Sequence, residues 1–475
     1  MHRITLQNKH YLRRLNMLIY TCEQMRVIEE NADVNGLSYV EMMENAGNAC
    51  AEKIHSTIVG LNSAAKTVAV LCGSGKNGGD GFVIAKNLSD KGYGIRLVLT
   101  NGYPTAYESK IMYAYLEDKP VLVSDLKQNY DACVSACMSA AAIVDCVFGI
   151  GFHGRLDETT SKFFNDISRS RAKKFAVDIP SGLEGNSGEI KSDFFKADYT
   201  LAITCYKPVH ILKPASDQCG IVSLIDIGID EKCYDAVGSD VIVSAEHNEI
   251  KRFFKPRNPA SNKGDFGRLL SVCGRRTIEG AAGVCRNMQG AAVMAANAAV
   301  ESGVGIVDCV FPEAAYSAIA SKLTEPLMDP MPSTADGFLK ADNLQRIIEL
   351  ADKSTAVLLG CGLGLCEDTV RLVNGILANV KKPIILDADG INAVSFNINI
   401  LKETSAPLIL TPHPGEMARL TGLSIEEIQS NRVKAARNFA TQYGCVLVLK
   451  GSNTVVAGPS GSVYINRTGN AGMAT

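Results

Sequence analysis

The chain has 475 residues, of which 46% are hydrophobic and 21% charged, with 42 glycines. This length is typical of two or more domains, and the composition excludes a disordered or low-complexity chain. A formal net charge of -2 gives no sign of a nucleic-acid or anionic-membrane partner.

The basic N-terminal stretch and the cysteines indicate in which cellular compartment the protein is found. The apolar run at 17–19 is too short for a signal-peptide core, so we predict that residues 1–16 are a disordered extension. No apolar run reaches the roughly 18 residues that a membrane helix needs. The 15 cysteines are scattered without a CxxC pair, which is typical of reduced thiols. We therefore expect a soluble, cytoplasmic protein.

The first half of the chain alternates short apolar runs with helical stretches. The runs lack strict alternation, as expected of strands that are buried on both faces of a parallel sheet. The predicted strands are 66–72, 95–100, 141–148, 175–179, 199–205 and 221–227, with helices that include 38–61 and 81–91. This order predicts a Rossmann-like, doubly wound α/β sheet.

The second half of the chain restarts the same alternation. Its predicted strands are 268–273, 305–311, 356–359, 384–387, 407–411, 446–450 and 462–465, with one long helix at 425–443. The boundary between the two halves falls in the polar stretch 229–259. We predict two α/β domains, at 17–235 and 236–475.

A glycine-rich loop at 73–81 lies between a predicted strand and a helix. Its backbone N–H groups can approach a phosphate closely, and the helix N-terminus favours an anion. The loop also satisfies GxGxxG, but the acidic residue that a dinucleotide-binding dehydrogenase carries about 20 residues later is missing at 100–102. A plain dehydrogenase is therefore disfavoured, and a tight turn without a ligand remains an alternative.

Polar side chains also follow other predicted strands of the first half. Because ligands of open α/β sheets bind at the carboxyl ends of the strands, we expect the loops after these strands, one of which reaches Arg155, to meet there. Asn77, Asp145 and Ser181 would supply oxygen ligands for a hard cation. Asp178 lies between two apolar residues and could be a general acid or base. The alternative for each aspartate alone is a helix cap or turn.

Four motifs carry a family resemblance. ENAG at 44–47, GSGKNGGDG, VDCVFGIG and VDIPSG together resemble the N-terminal domain of the NAD(P)H-hydrate repair enzymes, the YjeF N-terminal family, over about residues 17–230. The resemblance implies epimerisation of the R and S forms of 6-hydroxylated NADH and NADPH, K⁺ held by Asn77, Asp145 and Ser181, and proton transfer by Asp178. The implied substrate-binding residues are Lys76, Asn77, Gly78, Gly79, Asp80, Gly149, Ile150, Gly151 and Arg155.

Two positions depart from that family pattern. Lys76 stands where the family usually has the first of two asparagines. Its charge would either help to bind the diphosphate or displace the cation. Lys207 follows Tyr206 where the family usually has Pro-Lys, and we assign it no role.

Motifs at the predicted strand ends of the second half resemble another family. LTPHPGEMARL and LDADGINA are similar to the ADP/ATP-dependent NAD(P)H-hydrate dehydratases, which have a ribokinase-like fold, over about residues 236–475. The resemblance implies ADP or ATP with Mg²⁺. It implies nucleotide contacts by Lys450, Gly451, Ser452, Asn453 and Thr454, and hydrate contacts by Ala291, Gly362 or Gly364, and His413. A structural role is the alternative for His413.

The family continues beyond the position of Thr475 with the segment that holds its catalytic aspartate. The resemblance therefore implies a dehydratase domain that lacks its C-terminal part, and we expect no useful rate of dehydration.

Together the resemblances predict an epimerase fused to an ADP-dependent dehydratase, with NADHX or NADPHX as the small-molecule partner and neither nucleic acid nor membrane. A ribokinase-type kinase with an appended nucleotide-binding domain remains an alternative, as does a non-catalytic nucleotide-binding or scaffold protein. The oligomeric state stays open, with a homo-oligomer as one alternative.

Overall fold

A computed structural model of the chain describes residues 18–60, 66–237, 241–245, 251, 253–254, 256–276 and 287–473. These residues form two units. The N-terminal unit contains the described residues up to 244 together with 467–473, and the C-terminal unit contains the described residues from 245 to 466. The predicted extension at 1–16 lies outside the described residues.

The N-terminal unit alternates strands and helices in the predicted manner. Its helices are α1 Cys22–Val34, α2 Tyr39–Gly60, α3 Lys76–Asp90, α4 Tyr107–Ala114, α5 Tyr130–Ser139 and α6 Glu158–Ile167. Its strands are β1 Leu18–Ile19, β2 Thr67–Cys72, β3 Gly94–Leu99, β4 Val121–Asp125, β5 Ala142–Cys146, β6 Lys173–Val177, β7 Tyr199–Ile203, β8 Ile221–Ile225 and β9 Ile242–Ala245. Strands β1 and β9 pair antiparallel.

The sheet of the N-terminal unit has the order β4-β3-β2-β5-β6-β7-β8 and its neighbouring strands are parallel. One face packs on α5 and α6, where Phe163 and Phe164 enter the core. The strand order reverses between β2 and β5, which places a crevice outside their carboxyl ends. The doubly wound α/β class predicted from the sequence is confirmed.

The C-terminal unit is a second α/β unit. Its helices are α7 Gln289–Glu301, α8 Tyr316–Ala320, α9 Leu344–Asp352, α10 Glu367–Asn379, α11 Asp389–Val394, α12 Ile400–Glu403, α13 Pro414–Thr421, α14 Ile425–Ser430 and α15 Arg432–Tyr443. Its strands are β10 Arg268–Val272, β11 Ile306–Pro312, β12 Leu327–Met331, β13 Ala356–Leu359, β14 Ile384–Leu386, β15 Leu408–Leu410, β16 Val446–Leu449, β17 Val455–Ala457 and β18 Val463–Asn466.

Within this unit the strands follow the order β18-β17-β16-β15-β14-β13-β10-β11-β12. Pairing is parallel from β16 to β12 and antiparallel between β16, β17 and β18. The prediction of one helix at 425–443 is wrong. The chain breaks at Asn431, whose φ of -147° and ψ of 72° end α14. The Asn431 side chain then caps α15 by accepting the N–H of Lys434 at 3.0 Å.

Among the described residues, no helix is both long and apolar enough to cross a membrane. The described cysteines are free thiols, and most of them are buried.

Candidate active site

A cavity of about 530 Å³ lies in the N-terminal unit. It lies at the carboxyl ends of β2, β5 and β6, where the order of the sheet reverses. Residues from α1, the start of α2 and the start of α3 complete its lining. The predicted substrate and proton-transfer residues that line it are Lys76, Asn77, Asp80, Gly149, Ile150, Gly151 and Asp178.

The other predicted residues of this site lie elsewhere. Gly78 and Gly79 are buried in the first turn of α3. A Cβ at Gly78 would collide with the carbonyl oxygen of Gly73, so the packing of the loop itself requires this glycine. A Cβ at Gly79 would meet the end of the Met43 side chain on α2. Arg155 is exposed and is not part of the cavity lining.

Asp178 directly follows β6 and is held in an uncommon conformation. Its φ is +65°, a region that aspartate enters more readily than most residues but that still costs about 1–3 kcal/mol. The carboxylate pairs with Lys207, whose Nζ lies 2.5 Å from Asp178 Oδ1. That ammonium also donates to the carbonyl oxygen of Ile203 at 2.6 Å. The structure thus gives Lys207, which the sequence left unassigned, a contact with the predicted proton-transfer residue.

The ion pair is buried and is fixed by further contacts. The Lys207 side chain is 1% exposed, and although burial opposes its charge, the Asp178 carboxylate raises the pKa of Lys207 above its usual value. The Lys207 N–H donates to His210 Nδ1 at 3.0 Å, so the ring proton belongs on Nε2, which lies 2.8 Å from the carbonyl oxygen of Asp178. Burial, and then the charge of Lys207, lower the pKa of His210 to about 4.

Asp145 and Ser181, two of the predicted K⁺ ligands, are in direct contact. Asp145 Oδ1 accepts the Ser181 hydroxyl at 2.7 Å and the Val147 N–H at 3.1 Å, and Oδ2 accepts the Ser181 N–H at 2.8 Å. Burial raises the pKa of Asp145 to about 6. The third predicted ligand, Asn77, donates to the carbonyl oxygen of Val177 at 3.4 Å.

The donor atoms of these residues fit a hard cation. Asp145 is 0% exposed, and no cationic side chain among the described residues forms an ion pair with it. Its two oxygens accept three hydrogen bonds, which leaves acceptor capacity in a carboxylate. Hard oxygen donors of this kind suit a hard cation.

Lys76 extends toward the rim of the cavity. Its Nζ lies 3.6 Å from the centroid of the Tyr39 ring and 3.9 Å from Glu108 Oε1. The side chain is 52% exposed, so the ring and the carboxylate hold it by a cation–π contact and a weak surface ion pair. In this position the Lys76 ammonium does not occupy the surroundings of Asp145.

In the C-terminal unit, the Asp387 side chain contacts residues from several of the predicted motifs. Its Oδ1 accepts from Lys450 Nζ at 2.7 Å and from the Thr411 hydroxyl at 2.8 Å. Burial favours the neutral acid, but the hydrogen bonds from Lys450 and Thr411 outweigh it and lower the pKa of Asp387. Cys361 Sγ lies 3.7 Å from Asp387 Oδ2. The loops after β13, β14, β15 and β16 therefore meet at one carboxylate.

His413 has a structural role in this arrangement. It is the N-cap of α13, and its Nδ1 accepts the N–H groups of Gly415 and Glu416 at 3.0 and 3.3 Å. The His413 N–H donates in return to Glu416 Oε2 at 2.8 Å, which completes a reciprocal cap. The ring is half exposed, and its contact with a hydrate stays a prediction.

The turn that contains Lys450, Gly451, Ser452, Asn453 and Thr454 is held by Arg432. This arginine is buried and donates to the carbonyl oxygens of Leu449, Lys450 and Ser452 at 2.9, 3.1 and 3.1 Å. A Cβ at Gly451, whose φ is +147°, would collide with the Arg432 guanidinium. The turn is therefore preformed, and its contact with a nucleotide stays a prediction.

Ala291 and Gly362, two residues predicted to contact the hydrate, pack against each other. A Cβ added at Gly362 would lie 2.8 Å from Ala291 Cβ. The Gly364 N–H donates to Asp389 Oδ2 at 2.8 Å. The sequence placed both glycines at a strand end, and the structure shows that each has a positive φ, of +69° and +73°.

Comparison with known proteins covers both units. A family model described as YjeF-related protein N-terminus matches residues 40–209, and one described as NAD(P)H-hydrate dehydratase matches residues 282–475. The chain is 34% identical over 466 residues to the bifunctional NAD(P)H-hydrate repair enzyme of Thermofilum pendens, which covers 94% of this chain and 82% of that protein. The chain belongs to the family of bifunctional NAD(P)H-hydrate repair enzymes.

Other repair enzymes match over a similar extent. The Moorella thermoacetica enzyme is 33% identical over 448 residues, which is 92% of this chain and 81% of that protein. A crystal structure of the ADP/ATP-dependent NAD(P)H-hydrate dehydratase from Bacillus subtilis, co-crystallised with ATP and Mg²⁺, is 29% identical with a TM-score of 0.39, covering 48% of this chain and 74% of that one. Membership of the repair-enzyme family favours that interpretation over a ribokinase-type kinase.

Several residues at the candidate site of this repair-enzyme chain were missed from the sequence, among them Lys207, His210 and Glu29. Lys207 and His210 contact Asp178, and Glu29 lines the cavity from α1. The dipeptide Lys207-Pro208 was the available signal for the first of them, since a lysine after a predicted strand end can reach the same sheet edge as Asp178.

Proposed function

We propose that the N-terminal unit epimerises the R and S forms of 6-hydroxylated NAD(P)H, and that the C-terminal unit dehydrates the S form in an ADP- or ATP-dependent reaction. The observation that carries the first activity is the buried Asp178–Lys207 pair on the lining of a cavity at the carboxyl ends of the sheet. Location in the cytoplasm and assembly into a homo-oligomer stay predictions.

The geometry at Asp178 suits proton transfer. The ammonium of Lys207 pairs with the Asp178 carboxylate and orients it, and the His210 contact fixes the backbone of the same residue. Gly149 faces this group, because a Cβ there would lie 3.1 Å from Asp178 Oδ2 and 3.3 Å from Asn77 Oδ1. The absence of a side chain leaves that space to the nicotinamide ring of the hydrate.

The glycine loop supplies the anion site of the proposed substrate. The N-terminus of α3 begins at Lys76, and its free N–H groups and dipole favour the diphosphate. The Lys76 ammonium at the cavity rim adds a positive charge that can move from the Tyr39 ring to a phosphate.

A potassium ion is proposed as the partner of the buried Asp145 carboxylate. Asn77, Asp145 and Ser181 would hold it, and it would supply a positive charge beneath the substrate loop. The support is a buried carboxylate without a cationic side-chain partner among the described residues.

For the second activity, the preformed turn at Lys450–Thr454 would contact ADP or ATP with Mg²⁺. Asp387, Lys450 and Thr411 form a charged group at the strand ends where such a ligand would bind.

One experiment tests both activities. The purified chain is incubated with the R hydrate alone, with and without KCl and ADP, and the R hydrate, S hydrate and NADH are separated by chromatography. We expect S hydrate to form without ADP, and NADH to form only with it. A chain that forms S hydrate but no NADH would contradict the proposed dehydration, and a chain that forms neither would contradict both proposed activities.

A further inference from the structure

Besides the exposed Glu30, two carboxyl groups on the cavity lining are not accounted for by the Asp178–Lys207 pair. Asp80 on α3 is 8% exposed and Glu29 on α1 is half-buried, and both line the cavity together with Asp178. Within the described part of the chain, neither carboxyl group forms a hydrogen bond or an ion pair. Leaving a carboxylate buried without a partner is costly, and the neutral acid avoids that cost.

Burial and the neighbouring carboxylates both raise the pKa of Asp80. Burial raises the pKa of Asp80 well above its usual value, and the charges of Asp178 and Glu29 raise it further, while Lys76 opposes them. Burial and the charge of Asp178 also raise the pKa of Glu29. Burial raises the pKa of three thiols on neighbouring elements, those of Cys50, Cys72 and Cys146, and the charge of Asp80 contributes in each case.

Asp178 and Asp80 are therefore two carboxyl groups of one cavity in opposite environments. Asp178 has a buried ammonium 2.5 Å away that stabilises its charge, whereas Asp80 has no such partner among the described residues. One carboxyl group paired with an ammonium and a second carboxyl group without a partner, in the same site, are the usual arrangement of a general base and a general acid.

We propose that Asp80 is the general acid of the epimerisation and that Asp178 is the general base that works with it. This inference rests on the proposed function, because it assigns the second proton-transfer group of the same reaction. It gives Asp80 a role beyond substrate contact, and Glu29 the role of a positioning residue that keeps the proton on Asp80.

The step balances without an oxidant or a reductant. Asp80 gives its proton to the hydroxyl oxygen on C6, the C6–O bond breaks, and water leaves with the bonding pair. The lone pair of the adjacent ring nitrogen forms a C=N bond to C6. Water then adds to the other face, the C=N pair returns to nitrogen, and Asp178 takes the released proton. Turnover in the opposite direction, or exchange with solvent, returns the proton to Asp80.

The test compares the Asp80→Asn variant with the wild-type chain. Asparagine keeps the shape of the side chain but cannot donate an acidic proton, so we expect kcat for R to S conversion to fall on the order of 10² while KM changes little. A matched control is Glu52→Gln, an exposed carboxylate on α2 outside the cavity lining, which should leave the rate unchanged.

A decrease in kcat of less than tenfold, or an effect confined to KM, would overturn the assignment of Asp80. If that variant does not fold, Glu29→Gln decides, because removing the charge beside Asp80 lowers the pKa of Asp80. The upper pH limit of R to S conversion should then shift to lower pH, and an unchanged pH profile would overturn the inference. A wild-type chain without epimerase activity would instead refute the proposed function, and the inference with it.

Discussion

Replacement of Asp178 by asparagine separates charge from shape at the candidate site. Asparagine, like aspartate, enters the positive φ region more readily than most residues, so the φ of +65° remains accessible. The Lys207 ammonium, whose side chain is 1% exposed, would lose its counter-charge. Removing one partner of a buried pair costs about 3–5 kcal/mol, and we expect the free energy of unfolding to fall by about that amount.

The same variant loses the proposed proton acceptor. We expect the epimerisation rate to fall by about 10² or more, measured as initial formation of S hydrate from R hydrate, with denaturant unfolding followed in parallel. The double variant Asp178→Asn, Lys207→Met should recover much of the lost stability, because no buried charge remains, but none of the activity.

A surface ion pair provides the matched control for this prediction. Asp217 pairs with Lys213 at 3.2 Å, and its side chain is 52% exposed, so Asp217→Asn should change stability by less than about 1 kcal/mol and leave the rate unaltered. A near-normal rate in the Asp178→Asn variant would remove Asp178 from the mechanism. An unchanged stability would show that the Lys207 charge is not held as the structure indicates.

Three further predictions follow from named contacts. Wild-type chain should melt at a higher temperature in KCl than in choline chloride of equal ionic strength, and Asp145→Asn should abolish the difference; an undiminished difference would contradict a K⁺ site at Asp145. The pKa of His210 is lowered to about 4 in the folded chain, so the histidine is protonated in the unfolded chain at a higher pH than in the folded one. The free energy of unfolding should therefore fall by up to about 3 kcal/mol as the pH decreases from about 6.5 to 4. His210→Gln should flatten that part of the stability curve, and an identical slope would refute the assignment of the effect to His210. Lys450→Met removes the 2.7 Å contact with Asp387 and should reduce ADP-dependent dehydration at least about tenfold; unchanged turnover in a chain that has this activity would place the nucleotide elsewhere.

The sequence predicted the buried strands well because their signal is local. Strand β2 is an unbroken apolar run whose last five residues are buried, and such a run is recognisable without knowledge of its neighbours. Strand β4, Val121–Asp125, was not predicted. It lies at the edge of the sheet with Leu122 and Val123 exposed. Its sequence therefore lacks the pattern of apolar residues that marks a buried strand.

The candidate site was only partly accessible from the sequence for a related reason. Glycine loops and strand-end carboxylates have fixed positions in an α/β topology, so Asn77, Asp145 and Asp178 could be placed at one edge of the sheet. The partners of those groups depend on contacts between distant segments. Lys207 lies 29 residues from Asp178, and Glu29 reaches the cavity from a helix that precedes the sheet, which no spacing rule predicts.

The central claim is tested most directly by the time course of S hydrate formation from pure R hydrate in the presence of KCl and without any nucleotide. The Asp178–Lys207 site predicts that the purified chain brings the two epimers to equilibrium far faster than buffer alone, and that Asp178→Asn returns the rate toward that of buffer. A wild-type rate equal to that of buffer would contradict the assignment of epimerase activity to the N-terminal unit.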